Sequence, residues 1–168
     1  MAFLIVVMGV SGCGKSTLGR KLAEALGIAF VEGDDLHPPA NVAKMAAGQS
    51  LNDTDRIPFL DTVAARLAEH RGKGCVVSCS ALRRAYRDRL RAHVGQEIHF
   101  VLPLLSREAL MERMQQRKGH FMPANLLDSQ LATLELPSPE ERVVIVEGEQ
   151  SLDLQLAHVM DALSARAG

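Results

Sequence analysis

The chain has no tryptophan, one tyrosine and five phenylalanines in 168 residues. Surfaces that stack single-stranded nucleic acid draw on aromatics and a basic field, and this sequence has little of either. Nineteen Lys and Arg oppose twenty Asp and Glu, for a formal net charge of −1. No global field recruits a polyanion or an anionic membrane, so any anion must be held by a local cluster of donors. Cysteine is scarce too. Cys13, Cys75 and Cys79 are odd in number and stand at no metal-ligand spacing with a histidine pair. That pattern excludes a disulfide scaffold and a zinc module, and predicts reduced thiols in a cytoplasmic protein. The apolar run Phe3–Met8 is far too short to span a bilayer and ends at Gly9. With no basic segment before it and no small-residue cleavage site after it, it reads as a strand and not as a leader.

What is present is the composition of one globular domain spanning 1–168, 47% apolar and 23% charged. Apolar runs alternate with amphipathic segments, the pattern of a parallel sheet covered by helices. Strands are predicted at 2–8, 28–31, 75–79, 97–102 and 143–146. Helices are predicted at 15–26, 42–47, from a cap at Asp53 or Thr54 to about 70, and at 83–94, 107–116, 125–135 and 152–165. In the first of these, Leu18, Leu22 and Leu26 repeat every four residues on one face, and Gly27 is the stop. Residues 33–39 read as a loop. Five strands joined through helices predict an open doubly wound sheet, with ligands outside the carboxyl ends of the strands.

Between the first strand and the first helix the chain reads Gly9-Val10-Ser11-Gly12-Cys13-Gly14-Lys15-Ser16, followed by Thr17. This satisfies G-x-x-x-x-G-K-[ST] in its required setting, a buried strand entering and an amphipathic helix leaving. The chemistry needs these residue types. Glycines let successive backbone N–H groups turn inward as an anion nest, and the helix N-terminus adds partial positive charge. Lys15 is placed to bridge the β- and γ-phosphates of ATP or GTP, and the Ser16 hydroxyl to ligate Mg²⁺. The strand at 75–79 ends without the acid that often completes such a metal site, so the ion would rest on Ser16, nucleotide oxygens and water. Cys13 has two readings: a small residue filling the turn, or a thiol whose ionised form the phosphate field favours. The turn 147–151 is placed to approach a nucleotide base.

One βα unit further on stands Gly33-Asp34-Asp35-Leu36-His37-Pro38-Pro39-Ala40-Asn41, then Lys44-Met45, Gly48, Leu51, Asp53, Asp55-Arg56 and Pro58. A loop at a strand's carboxyl edge beside a phosphate site suits an acceptor hydroxyl. A carboxylate there can take its proton, and an arginine can pair with a substrate anion. From the charges alone, a solvated loop is the plainer alternative.

The pattern G-D-x-L-H-P-x-x-N-x-x-K-M-x-x-G-x-x-L-x-D-x-D-R-x-P as a whole resembles the gluconate kinase family. So do Ser80-Ala81-Leu82-Arg83 with Tyr86-Arg87-Asp88, the block Arg117-Lys118-Gly119-His120-Phe121-Met122, and residues 130–137 (QLATLELP). The resemblance covers nearly the full chain in order. It implies a nucleoside/shikimate-kinase-like P-loop fold with a mobile lid at about 117–124, and ATP-dependent phosphorylation of D-gluconate at O6. It also implies a homodimer. Asp34 takes the place of the residue that meets the acceptor hydroxyl. His37, Asn41, Lys44 and Arg56 take substrate-pocket places, and Arg117, Lys118 and His120 lid places, with Arg117 also serving ATP and catalysis and His120 the substrate. Three features depart from the pattern: Arg83 where lysine is common, Phe59 where tryptophan often follows the proline, and Asp35 as an immediate rival to Asp34. The alternatives are a related kinase for shikimate, a nucleotide or another sugar acid, and a nucleotide-binding switch without an acceptor.

Five arginines fall within residues 83–91. In a chain so poor in aromatics, a solvated helix face explains Arg84, Arg89 and Arg91 better than nucleic-acid binding does. Arg83 and Arg87 lie nearest the strand end, where an anion could be held.

Overall fold

The computed structural model describes residues 2–116 and 124–167. Strand β1 (Leu4–Val7) is apolar at every position and fully buried, as a strand covered on both faces must be. It is followed by α1 (Lys15–Leu26), β2 (Ala29–Glu32), α2 (Pro39–Ala46), α3 (Asp53–Glu69), β3 (Cys75–Ser78) and α4 (Arg84–Val94). Then come β4 (Ile98–Leu104), α5 (Arg107–Gln116), α6 (Ala124–Thr133), β5 (Val144–Glu147) and α7 (Leu152–Ala167). All strand pairs are parallel, in the order β2-β3-β1-β4-β5, with Leu4 opposite both Cys75 and Ile98.

Alternation along β1 divides the core. Leu4 and Val6 pack with Phe59, Leu60, Val63 and Leu67 of α3 and Leu90 of α4. Ile5 and Val7 pack on the other face with Leu18 and Leu22 of α1 and Val159 and Leu163 of α7. The chain leaves β1 one way for β2 and β3, and the other way for β4 and β5. Residues 8–14 therefore lie where the winding reverses, which is where an open α/β sheet forms its ligand crevice.

The predicted doubly wound sheet is what the chain forms, and α1 and α5 match their predicted bounds to the residue. Three local expectations are corrected. The cap of α3 is Asn52, not Asp53 or Thr54. Its side chain accepts from Asp55 N at 2.8 Å while the Asp55 carboxylate accepts from Asn52 N at 2.9 Å, a reciprocal capping box. Helix α2 starts at Pro39 and not at 42, because proline at the first helical position has its φ preset and no N–H to lose. Residues Gly33–Leu36 are a 3₁₀ turn and not an open loop.

Candidate active site

The phosphate loop is built on three glycines at positive φ: Gly9 (129°), Gly12 (85°) and Gly14 (92°). A Cβ at Gly9 would stand 2.8 Å from Cys13 Sγ, so the tight first turn needs its absence. Gly14 caps α1 without a side chain, which leaves the first N–H groups of the helix, at Lys15, Ser16 and Thr17, facing outward. The Lys15 ammonium donates to Val10 O at 3.1 Å and so lies folded over the loop. Cys13 is 2% exposed and packs with Val10, Leu82, Leu105, Leu110 and Leu127, its thiol towards Met8 O. Of its two readings, this is the geometry of a residue filling the turn. Burial pushes the thiols of Cys75 and Cys79 up to about 11 and about 12, so both are inert packing groups.

Two cavities flank this loop. One, of about 310 Å³, is lined by Gly12, Gly14 and Thr17 on one side and by Arg113, Gln150 and Leu152 on the other. Arg113 reaches from α5 across the loop, donating to Gly148 O at 2.6 Å and to Gly12 O at 3.5 Å. Gln155 ties the same turn by donating to Gly148 O and Gln150 O. The turn 147–151 thus lies beside the phosphate loop. Arg113 was missed by the sequence reading, because nothing local marks one arginine of a solvated helix as the one that crosses to this turn.

The second cavity, of about 270 Å³, shares Ser11 and Lys15 with the phosphate loop and is lined by Asp34, His37, Arg56 and Phe59. Asp35 is not among its lining residues. Asp34 owes its place to Gly33. A Cβ there would fall 1.7 Å from Ser78 O, so only glycine lets β2 turn this tightly against β3. The turn is pinned by Ser78 Oγ, which accepts from Gly33 N at 3.0 Å and donates to Glu32 Oε1 at 2.6 Å.

Arg56 lies in the second turn of α3. It donates to Tyr86 Oη at 2.9 Å with its guanidinium 5.3 Å from the ring centroid, and Tyr86 in turn donates to Asp53. Burial, then the Asp53 hydrogen bond, hold the Tyr86 phenol above its ordinary range. The His37 ring stacks on Phe59, with centroids 3.7 Å apart and planes 11° from parallel. Burial lowers the His37 pKa, with Asp34 opposing and Arg56 adding to the shift.

Four proposed pocket residues lie elsewhere. Arg87 is fully buried and forms a bidentate pair with Glu141 at 2.8 and 3.0 Å, donating also to Ala81 O and Glu135 O. Its donors are taken up by the fold, so it is an internal strut and not an anion ligand. Arg83 is the N-terminal flank of α4, lies 3.6 Å from Asp53 and lines an adjoining pocket that shares Leu51 and Arg56 with the second cavity. Lys44 bonds Asp55 Oδ2 at 2.6 Å, and Asn41 is 3% exposed behind His37. Neither lines the cavity. Arg117, Lys118 and His120 lie outside the described residues.

Helix α6 roofs the second cavity with Leu126, Ser129 and Gln130. Gln130 grips the phosphate loop, accepting from Ser11 N at 2.7 Å and donating to Ser11 Oγ at 3.3 Å. Ser129 meets Ser50 at 2.7 Å, Asn125 donates to Gly48 O at 3.4 Å, and Glu135 N donates to Leu82 O at 2.7 Å. Among the described residues no group of three His, Cys, Asp or Glu converges to hold a metal, and no helix is long and apolar enough to cross a membrane.

A family model described as an AAA domain matches residues 4–137. The chain is 51% identical to a gluconokinase of Gluconobacter oxydans over 158 residues, 93% of this chain and 88% of that protein. The crystal structure of a gluconokinase from Sinorhizobium meliloti superposes with a TM-score of 0.91 at 48% identity, covering 98% of this chain and 93% of that one. A shikimate kinase from Aquifex aeolicus shares the fold, with a TM-score of 0.62 at 17% identity over 98% of each chain.

Proposed function

The chain belongs to the gluconokinase family, and we propose that it transfers the γ-phosphoryl group of ATP to O6 of D-gluconate, giving 6-phospho-D-gluconate. The observation that carries the reading is the second cavity. It brings Asp34, His37 and Arg56 together against Ser11 and Lys15 of the phosphate loop.

In this reading ATP lies along the loop, with its base towards Arg113 and the turn 147–151. Lys15 swings from Val10 O to the phosphates. Asp34 orients the acceptor hydroxyl and takes its proton as the O6–P bond forms and the bond from the γ-phosphorus to the β,γ-bridging oxygen breaks. Arg56 keeps one nitrogen on Tyr86 and has further donors for the substrate carboxylate. Ser16, in the first turn of α1, is the residue that would ligate Mg²⁺, which when bound neutralises charge on the β- and γ-phosphates. The segment at about 117–124 acts as a lid, with Arg117 on the transferring phosphoryl and Lys118 and His120 beside it. The protein works in the cytoplasm as one kinase domain, and as a homodimer.

One assay tests the reading: ADP release coupled to a chromogenic readout, with gluconate, other aldonates, shikimate and nucleoside monophosphates in parallel. Gluconate is expected to give the highest kcat/KM. A higher value for shikimate or a nucleotide, or ATP hydrolysis indifferent to every acceptor, would overturn it.

A further inference from the structure

Which nitrogen of His37 carries the proton decides whether the ring can give or take a hydrogen bond in the cavity. The surroundings of Asn41 answer this. Asn41 Nδ2 lies 2.9 Å from Asp55 O, and a carbonyl oxygen only accepts, so this end of the amide is the NH₂ and not the oxygen. The same nitrogen lies 3.3 Å from His37 Nδ1. An amide nitrogen offers two hydrogens and no lone pair, so Nδ1 must be the bare, accepting nitrogen.

We propose that Asn41 is a positioning residue that locks His37 as the neutral Nε2–H tautomer, so that the ring presents a donor, not a base, to an oxygen of the acceptor. The proposal rests on the reading of the second cavity as the acceptor site.

Three further contacts make the lock stiff. Asp55, whose carbonyl orients the Asn41 amide, is held by the Lys44 ammonium at 2.6 Å and by its place in the α3 capping box. The Asn41 side chain is nine-tenths buried or more, so water does not compete for its hydrogens. The Phe59 ring fixes the plane of the imidazole. The charged groups around the ring are Asp34 on its own turn, Arg56 on α3 and Lys15 from the phosphate loop. Protonating Nδ1 would set two N–H groups against each other. To relieve this the amide must rotate, and its oxygen would then face Asp55 O. Burial and Arg56 press in the same direction, against the pull of Asp34.

A ring so held cannot take the proton of the acceptor hydroxyl, because Nε2 already has one and Nδ1 is covered. Proton removal falls to Asp34. The arrangement also gives Asn41 and Lys44, which do not reach the cavity, a role in it.

The test combines a spectrum with kinetics, in the full chain. Long-range ¹H–¹⁵N spectra of the imidazoles report tautomer and charge, and His37 is assigned by comparison with His37→Gln. Wild type should show Nε2–H and a pKa below the ordinary histidine value. Asn41→Asp is nearly isosteric, and its carboxylate would accept from Nδ1–H. It should move the proton to Nδ1 or charge the ring, raise the pKa, and raise the gluconate KM about tenfold, the worth of one hydrogen bond. The ATP KM should stay within twofold.

An Nδ1–H ring in wild type, or an unaltered ring in Asn41→Asp, overturns the proposal whatever the kinetics. A switched ring with an unchanged gluconate KM overturns the donor role and counts against the acceptor-site reading, while leaving the tautomer lock standing. Should Asn41→Asp not fold, His37→Gln and His37→Asn decide. A glutamine N–H reaches the position of Nε2, so Gln should retain gluconate binding better than Asn. The reverse order overturns the proposal.

Discussion

Asp34 and Asp35 are neighbours in the chain, yet only Asp34 lines the cavity that contains Lys15, because Gly33 turns the backbone hard against Ser78. Replacing Asp34 by Asn should therefore lower kcat by about 10²–10⁴, the range for a lost positioned base, with the ATP KM nearly unchanged. Steady-state kinetics on both variants checks the assignment, since a greater loss in Asp35→Asn would exchange the two roles. Arg56 is already fixed by Tyr86, through a hydrogen bond and the face of the ring. A lysine keeps the charge but loses both the fork and the stacking, so Arg56→Lys should raise the gluconate KM far more than the ATP KM. Equal effects on the two constants would put Arg56 on the nucleotide or in the fold. At this scale the sequence was legible where a residue reaches the cavity from its own turn, as Asp34, His37 and Arg56 do. It was misleading where a charge has an internal partner. Arg87 meets Glu141 54 positions away, and Lys44 meets Asp55 across a helix junction. Nothing local distinguishes such a partner from a ligand.

The helices and strands themselves were legible almost to their ends, because hydrophobic period and glycine stops are local signals. The cap of α3 was not, since Asn52, Asp53, Thr54 and Asp55 are four adjacent residues of capping type and only geometry chooses among them. Nor was the role of α6. Its sequence marks it as a helix, but its position over the second cavity depends on contacts with Ser11, Gly48, Ser50 and Leu82, each far away in the chain. Of these ties, Gln130 alone reaches the phosphate loop by side-chain bonds to Ser11, so it is where nucleotide binding and the cavity roof meet. Gln130→Ala should lower kcat/KM for gluconate about tenfold, through a roof left loose over the reacting groups. It should lower unfolding stability by only about 1–3 kcal/mol, the net worth of the two hydrogen bonds to Ser11. A thermal melt run beside the kinetics separates the two. Large destabilisation with unaltered catalysis in the folded fraction would make Gln130 a packing residue and no more.

At the scale of the molecule, strand number was readable but strand order was not, because placing β3 between β1 and β2 is a matter of long-range pairing. The fate of the basic helix was equally hidden. Each of the five arginines in and before α4 meets an acid: Arg83 with Asp53, Arg84 with Asp88 and Glu140, Arg87 with Glu141, Arg89 with Asp61, and Arg91 with Asp88 and Glu141. The exposed pairs are worth little each. The Arg87–Glu141 pair differs, with side chains 0% and 1% exposed, and it joins α4 to the segment that enters β5. The Arg87 hydrogen bond outweighs burial and holds the Glu141 carboxyl at about 2, down from 4.5. A carboxyl depressed in the folded state stabilises above its unfolded pKa, and that contribution is lost as pH falls through the folded one. The window here runs from about pH 4.5 down to about 2. Removing one partner of a buried pair leaves the other charge unmatched, at a cost of about 3–5 kcal/mol. Glu141→Gln should therefore be markedly less stable than wild type at pH 7 in urea unfolding. As the pH is lowered through the window the gap should close, because wild type loses what the variant never had. The double change Arg87→Met with Glu141→Leu should cost less than Glu141→Gln alone, since no charge is stranded. If wild type and Glu141→Gln instead lose stability in parallel across the window, the acid sensitivity of this protein arises elsewhere and the pair is not the strut its geometry describes.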